Sequence, residues 1–435
     1  MCENSAMSRS IYTFLLFLLL PLTPLKLLLR GRKQPEYLQH WQERYGFYKL
    51  QCHKPVLWLH CVSVGETRAA EPLVKVLLQQ YPGHQILLTH TTPTGRATGE
   101  QLFGDKVARV YLPYDLPFAV NHFLKHFKPA IGVLMETELW FNLIAACRQQ
   151  NVPLLLVNAR LSERSARGYG KLGKLVQQGL RGLTAIAAQT AQDAARLQDL
   201  GAADVSISGN LKFDVAPHDD ATAKGLLLRS AIGSQRPVFL AASTREGEEA
   251  IILDAITEAD IPDLLTIIVP RHPQRFDEVA ELLKKHKVEF VRRSSLVIDT
   301  SLGNETGGKA IVNPHTAVVL GDSMGEMFSY YASCDVAFIG GSLLPLGGQN
   351  LIEACSAGKP VLTGPHTFNF AQATEMAISA GAAQRVQDSA GLAGSLQALF
   401  NDAAARKAMG AAALRFSSES RGATERTLAL IQRYL

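Results

Sequence analysis

Seven short apolar runs, at residues 56–62, 85–89, 107–112, 130–135, 153–157, 185–188 and 205–208, are separated by spacers each long enough for a helix. That alternation restricts the fold severely, because parallel strands need long crossovers and a helical crossover covers a sheet face. The same rhythm restarts at 237–241 and continues through 264–269, 288–291, 317–320, 336–339 and 360–362. The expectation is an α/β chain of two doubly wound, Rossmann-like domains. The polar, proline-bearing stretch 215–220 is the predicted linker, between a first domain at 34–214 and a second at 221–435. A loop or hairpin is expected over 302–313, where Gly, Asn and Thr dominate. The alanine-rich stretch 403–435 is expected to be helical, with a last helix able to pack back on the first domain.

Residues 11–29 fit neither domain. The run is almost wholly apolar and near the minimum length of a bilayer span, but Pro21, Pro24 and Lys26 interrupt it. A single anchor and a helix dipping into one leaflet are both open, with 1–33 as anchor and basic flank. Arg30, Arg32 and Lys33 follow the run, which puts the globular part on the cytoplasmic face. No small-residue cleavage site follows, against a removed signal peptide, and either Met1 or Met7 can serve as the start. A net charge of +5 is too small to argue for nucleic acid and suits an anionic membrane or phosphorylated substrate. The six cysteines lack metal-type pairing and scaffold density, and read as reduced thiols.

Open α/β sheets place their chemistry at the carboxyl edge. In the first domain, His60-Cys61-Val62-Ser63-Val64-Gly65-Glu66-Thr67-Arg68 turns from strand to helix. Gly65 lets backbone N–H groups approach a ligand, the helix N-terminus favours an anion, and Glu66 is a candidate general base. A first-turn acid also complements the helix dipole, so the motif alone leaves both roles open. Glu136-Thr137-Glu138, Asn158-Ala159-Arg160 and Ser208-Gly209-Asn210-Leu211-Lys212 follow later strands on the same edge. In extended backbone Glu136 and Glu138 point to opposite sides, so at most one is expected to join Glu66. Arg160, Arg164, Arg167, Lys171 and Lys174 would form one basic stripe if helical, for lipid phosphates or as a solvated face.

In the second domain, Pro270-Arg271-His272-Pro273-Gln274-Arg275 ends a strand and opens a helix, so that Arg271 or Arg275 could pair with a phosphate or simply line a surface loop. Gly321-Asp322-Ser323-Met324-Gly325-Glu326 offers small residues against which a nucleotide can lie. Gly340-Gly341 and Gly347-Gly348 hold an irregular loop before a helix. Asn350 and Glu353, three apart at its start, share a face and suit either ribose hydroxyls or a cap. No H-E-x-x-H, Cys-x-x-Cys or Asp-x-Asp motif lies near these loops, so a metal-free mechanism is expected.

Taken in order, Ser63-Val64-Gly65-Glu66, Thr92-Pro93-Thr94-Gly95, Leu112-Pro113-Tyr114-Asp115, Met135-Glu136-Thr137-Glu138-Leu139-Trp140, Asn158-Ala159-Arg160-Leu161-Ser162, Gly209-Asn210-Leu211-Lys212-Phe213-Asp214, Pro270-Arg271-His272-Pro273, Asn350-Leu351-Ile352-Glu353 and Gly364-Pro365-His366-Thr367-Phe368-Asn369-Phe370 resemble the bacterial lipid A Kdo (3-deoxy-D-manno-octulosonic acid) transferases. The resemblance runs from about residue 11 onward. It implies a GT-B glycosyltransferase on the cytoplasmic face of the inner membrane, moving Kdo from CMP-Kdo to the lipid A precursor of lipopolysaccharide without a separate cofactor or metal. It further implies Glu66 as base, Pro270, Arg271, Met324, Gly325, Glu326, Asn350 and Glu353 around CMP, and Ser63, Gly65, Glu138, Arg160 and Lys212 around acceptor and transition state. Relatives commonly show Asn-Pro-Leu-Glu where this chain has Asn350-Leu351-Ile352-Glu353, which keeps both polar anchors. Direct displacement would invert the anomeric centre. Two rivals share these features: a nucleotide-sugar 2-epimerase, which needs no anchor, and a membrane-tethered nucleotide- or lipid-binding protein with a dead site.

Overall fold

The computed structural model describes residues 7–214, 219–296 and 312–435. Residues 215–218 of the predicted linker, 302–311 of the predicted loop and the alternative start Met1 lie outside them. The chain forms two compact units, Met1–Asp214 with Ser420–Leu435, and Val215–Glu419.

In the first unit β1 (Val56–His60), β2 (Gln85–His90), β3 (Ala108–Tyr111), β4 (Pro129–Met135), β5 (Leu154–Ala159), β6 (Ala185–Ala188) and β7 (Val205–Ile207) pair in the order β3-β2-β1-β4-β5-β6-β7. Every pairing is parallel. All five residues of β1 are buried. Alternate side chains enter different cores, Trp58 joining Phe123, Phe127 and Leu134, and Leu57 and Leu59 joining Leu73, Val74 and Leu77. Both faces are covered, which is why the strands read as continuous apolar runs. The Trp58 indole donates to Thr89 Oγ1 (2.8 Å), and Gly132 makes room for its ring, since a β-carbon there would sit 2.6 Å from it.

In the second unit β8 (Val238–Thr244), β9 (Leu265–Pro270), β10 (Phe290–Arg292), β11 (Val318–Leu320), β12 (Val336–Ile339), β13 (Val361–Thr363) and β14 (Ala383–Arg385) pair in the order β10-β11-β9-β8-β12-β13-β14, again all parallel. The strand order reverses beside β1 in one sheet and beside β8 in the other, and each switch point opens a crevice at the carboxyl edge. At the C-terminus the helix Ala403–Glu419 ends, Gly422 turns the backbone at φ +91°, and Ala423–Gln432 follows. Asp214 accepts the N–H groups of Gly422 (2.7 Å) and Thr424, and Arg426 donates to Ser208 O (2.8 Å), fixing these last residues in the first unit.

The N-terminus departs from the expected single anchor. Two helices, α1 (Arg9–Leu19) and α2 (Leu22–Lys33), meet at a 56° bend, and among the described residues no single helix is long and apolar enough to cross a membrane. Pro21, which has no N–H to continue the ladder, sits at the break. One side of α1 is tied down: Tyr12 Oη donates to Asp115 (2.9 Å), Thr13 Oγ1 donates to Asn142 Oδ1 (2.9 Å), and the Tyr12 and Phe141 rings meet edge-on at 5.2 Å. The other side exposes Ile11, Phe14, Leu15, Leu18 and Leu19, continued by Leu22, Leu25, Leu28 and Leu29 of α2.

Candidate active site

At the carboxyl end of β1, Ser63 caps α3 (Val64–Ala69), its Oγ accepting from Glu66 N. The Glu66 carboxylate folds back to accept Val62 N–H at 2.7 Å and Ser63 Oγ–H at 3.0 Å. The arrangement resembles a capping box and leaves a buried acid held by two donors. Burial pushes the Glu66 carboxyl up to about 7, opposed by the Val62 N–H and assisted by the charges of Glu136 and Glu138. Gly65 is exposed, and a β-carbon on it would meet nothing nearer than 3.8 Å, so the space above the turn is open.

Glu136 and Glu138 both act electrostatically on Glu66. Glu136 is not extended: it sits at φ 58°, in the left-handed region, and redirects the chain where β4 ends. Asn158, the penultimate residue of β5, is left-handed too at φ 52°, and its Oδ1 accepts Leu211 N–H at 3.0 Å. That bond holds the turn that carries Lys212, whose Nζ lies 3.4 Å from Glu136 Oε1. Glu138 accepts from Trp140 Nε1 at 2.7 Å, and burial pushes its carboxyl up to about 7 as well. Arg160 is exposed and contributes its carbonyl, which accepts from Thr137 Oγ1. The predicted basic stripe is not continuous, because Gly173 at φ +49° separates the helices Glu163–Gly170 and Lys174–Gly182.

Sequence reasoning missed the supports of this site. His60 and His90, buried at the ends of β1 and β2, are held neutral by burial, their pKa values lowered to about 3 and about 4. Asp115 receives Asn142 N–H (3.0 Å) and Leu143 N–H (2.8 Å) at the start of the helix Phe141–Gln149. A polar residue closing a buried strand was the available signal for the histidines. Asp115 stood in a quoted motif with no role attached.

In the second unit, Pro270 is the buried last residue of β9, and Arg271 Nε donates to Gln349 Oε1 at 3.1 Å. Arg275 is engaged elsewhere, bidentate on the buried carboxylate of Glu249 at 2.6 and 3.0 Å. Of the two arginines left open, Arg275 is the one paired with a buried carboxylate. The pKa of His272 is lowered by desolvation and then by Arg245, Arg271 and Arg275, which marks an electropositive corner. Gly325 turns at φ +80° beside an exposed Met324, while Glu326 accepts from Arg293 (2.9 Å) and Ser323, so this turn presents its backbone rather than its acid. Asn350 Nδ2 donates to Glu353 Oε1 at 3.1 Å and its Oδ1 accepts Ile352 N–H at 3.0 Å, so the two side chains meet at the start of the helix. Glu248, unnoticed because an acid opening a helix looks like dipole compensation, is fully buried. It accepts the N–H groups of Arg245, Gly341, Ser342 and Leu343 at 2.5–3.0 Å and fixes the glycine loop. Among the described residues no group of three His, Cys, Asp or Glu gathers as for a metal ion.

Residues 39–215 match the family model described as 3-Deoxy-D-manno-octulosonic-acid transferase (kdotransferase). The chain is 44% identical to a 3-deoxy-D-manno-octulosonic acid transferase of Bordetella pertussis, over 99% of this chain and 100% of that protein. It is 41% identical to the transferase of the same name from Haemophilus influenzae, over 99% of each. Among solved structures, a glycosyltransferase of Rickettsia africae superposes with a TM-score of 0.56 at 14% identity, over 88% of this chain and 99% of that one, a likeness of fold alone. The two parallel seven-stranded units are those of a GT-B glycosyltransferase, and on identity over its full length the chain belongs to the family of 3-deoxy-D-manno-octulosonic acid transferases.

Proposed function

We propose that this enzyme moves Kdo from CMP-Kdo to a hydroxyl of the lipid A precursor with inversion, and that Glu66 is the general base. The observation that carries the reading is the state of Glu66: a buried carboxyl pushed up to about 7, fixed by Val62 and Ser63, beside open space over Gly65. A base with that proton affinity is matched to neutral pH. It takes the proton of the attacking hydroxyl as the anomeric carbon, oxocarbenium-like, loses CMP. The leaving phosphate needs no proton, so one carboxylate suffices. Ser63, Gly65, Glu138, Arg160 and Lys212 belong to the acceptor side in this reading.

On the donor side, Arg271 in its electropositive corner supports binding of the CMP phosphate, the turn at Met324, Gly325 and Glu326 lies along the nucleotide, and Asn350 with Glu353 takes the ribose hydroxyls. The charge gained by CMP is met by the protein's own cations and helix N-termini, with no metal ion assigned a role. The apolar side of α1 and α2, with Lys26, Arg30, Arg32 and Lys33 close by, supports association with the cytoplasmic surface of the inner membrane.

The test is transfer from CMP-Kdo to tetraacylated lipid A precursor by the full chain and by Glu66→Ala, with and without a chelator, product read by mass. Chelator-resistant transfer by the wild type, reduced by about a hundredfold or more in a variant that still binds CMP, is the expected result. A variant that keeps most of its rate would remove Glu66 from the role and leave Glu138 as the candidate.

A further inference from the structure

We propose that Tyr12 and Asp115 are positioning residues for Glu138, which makes α1 a working part of the transferase unit rather than a detachable tether. The inference rests on the reading of Glu138 as an acceptor-side carboxylate.

The helix Phe141–Gln149 begins without a side-chain cap of its own, the residue at its cap position being Trp140. Two of its leading N–H groups, on Asn142 and Leu143, are instead taken by Asp115, which is 3% exposed and lies on a separate segment. The Asn142 amide returns a bond to Asp115 O at 2.7 Å. Tyr12 supplies the remaining donor to this carboxylate at 2.9 Å, and Thr13 binds the Asn142 side chain at 2.9 Å. The first turn of that helix is thus located by Asp115, and Asp115 by α1.

Immediately ahead of the turn, Trp140 donates to Glu138 (2.7 Å), and its ring lies edge-on to buried His60 at 6.0 Å. A shift of the turn moves Trp140, and with it the donor that orients Glu138. Simple packing of α1 would require only the Tyr12 ring against Phe141. The Tyr12 hydroxyl and the Thr13 bond add direction, and a buried carboxylate deprived of a donor does not hold one geometry well. The opposite side of α1 carries exposed Phe14 and Leu18, so a lipid surface would press on the same helix that sets Glu138.

The experiment uses the full chain in detergent micelles with saturating acceptor. Tyr12→Phe keeps the ring and removes the hydroxyl, and Asp115→Asn keeps the shape and removes an acceptor. The expectation is a kcat about tenfold lower or more for both. KM for CMP-Kdo and the thermal midpoint of Tyr12→Phe should stay at wild-type values. A folded, CMP-binding Tyr12→Phe with wild-type kcat would overturn the proposal, as would a kcat loss matched by lost CMP affinity, the mark of general loosening. Failure of the unmutated chain to transfer would overturn the underlying acceptor-site reading, and is told apart by the control alone.

Discussion

Replacing Glu66 by Gln should stabilise the first unit at alkaline pH and not at acid pH. In the folded chain the carboxyl is pushed from 4.5 to about 7, with burial the leading cause. Below the unfolded value both states hold the proton. Between the two values only the folded state does, so this group's contribution to stability is lost as pH rises through about 7. The interval, at about 1.36 kcal/mol per pH unit, comes to about 3 kcal/mol by about pH 8. Gln cannot ionise and keeps an oxygen for Val62 N–H, but trading a charged acceptor for a neutral one costs about 1 kcal/mol. The net expectation is a gain of about 2 kcal/mol at about pH 8 that becomes a small loss at about pH 4. All three tryptophans, Trp41, Trp58 and Trp140, lie in the first unit, so urea unfolding followed by intrinsic fluorescence reads the stability of the part that contains Glu66. A difference between variant and wild type that does not change with pH would refute the reasoning, because it would mean the carboxyl is not held above its ordinary value.

The wild-type rate constant kcat/KM should climb with pH and level off above about 7, since the base must be ionised. Glu138 raises Glu66, so Glu138→Gln should move that inflection to lower pH in the same profile. Arg271→Ala should raise KM for CMP-Kdo by about tenfold or more with stability unchanged, whereas Arg275→Ala strands buried Glu249 and should cost about 3–5 kcal/mol. Calorimetry beside initial-rate kinetics separates the two.

The strands were legible because parallel strands covered on both faces must be apolar throughout. β6 and β12 match the expected runs residue for residue, while β14, Ala383-Gln384-Arg385 at a sheet edge, carries too little apolar character to announce itself. The turn that holds Glu66 was legible because the partners of its carboxylate, Val62 and Ser63, lie within four residues. The partners of Arg271 and Arg275 were not, because Gln349 and Glu249 are 78 and 26 residues away. The backbone of Glu136 was not legible for a related reason. Its left-handed backbone belongs to the end of β4 in three dimensions, not to a local preference of glutamate. At the N-terminus apolar length was readable, but the bend and the bonds from Tyr12 and Thr13 to partners over a hundred residues away were not.

The unit that opens the chain is completed by its last residues, 420–435. Leu428 and Ile431 close a core that also contains Leu73, Val74 and Leu77, and Asp214 waits for the N–H groups of Gly422 and Thr424. During synthesis the second unit is therefore made while the first still lacks one wall, with apolar side chains facing water. A chain cut within the second unit also lacks residues 420–435, and with them this wall of the first.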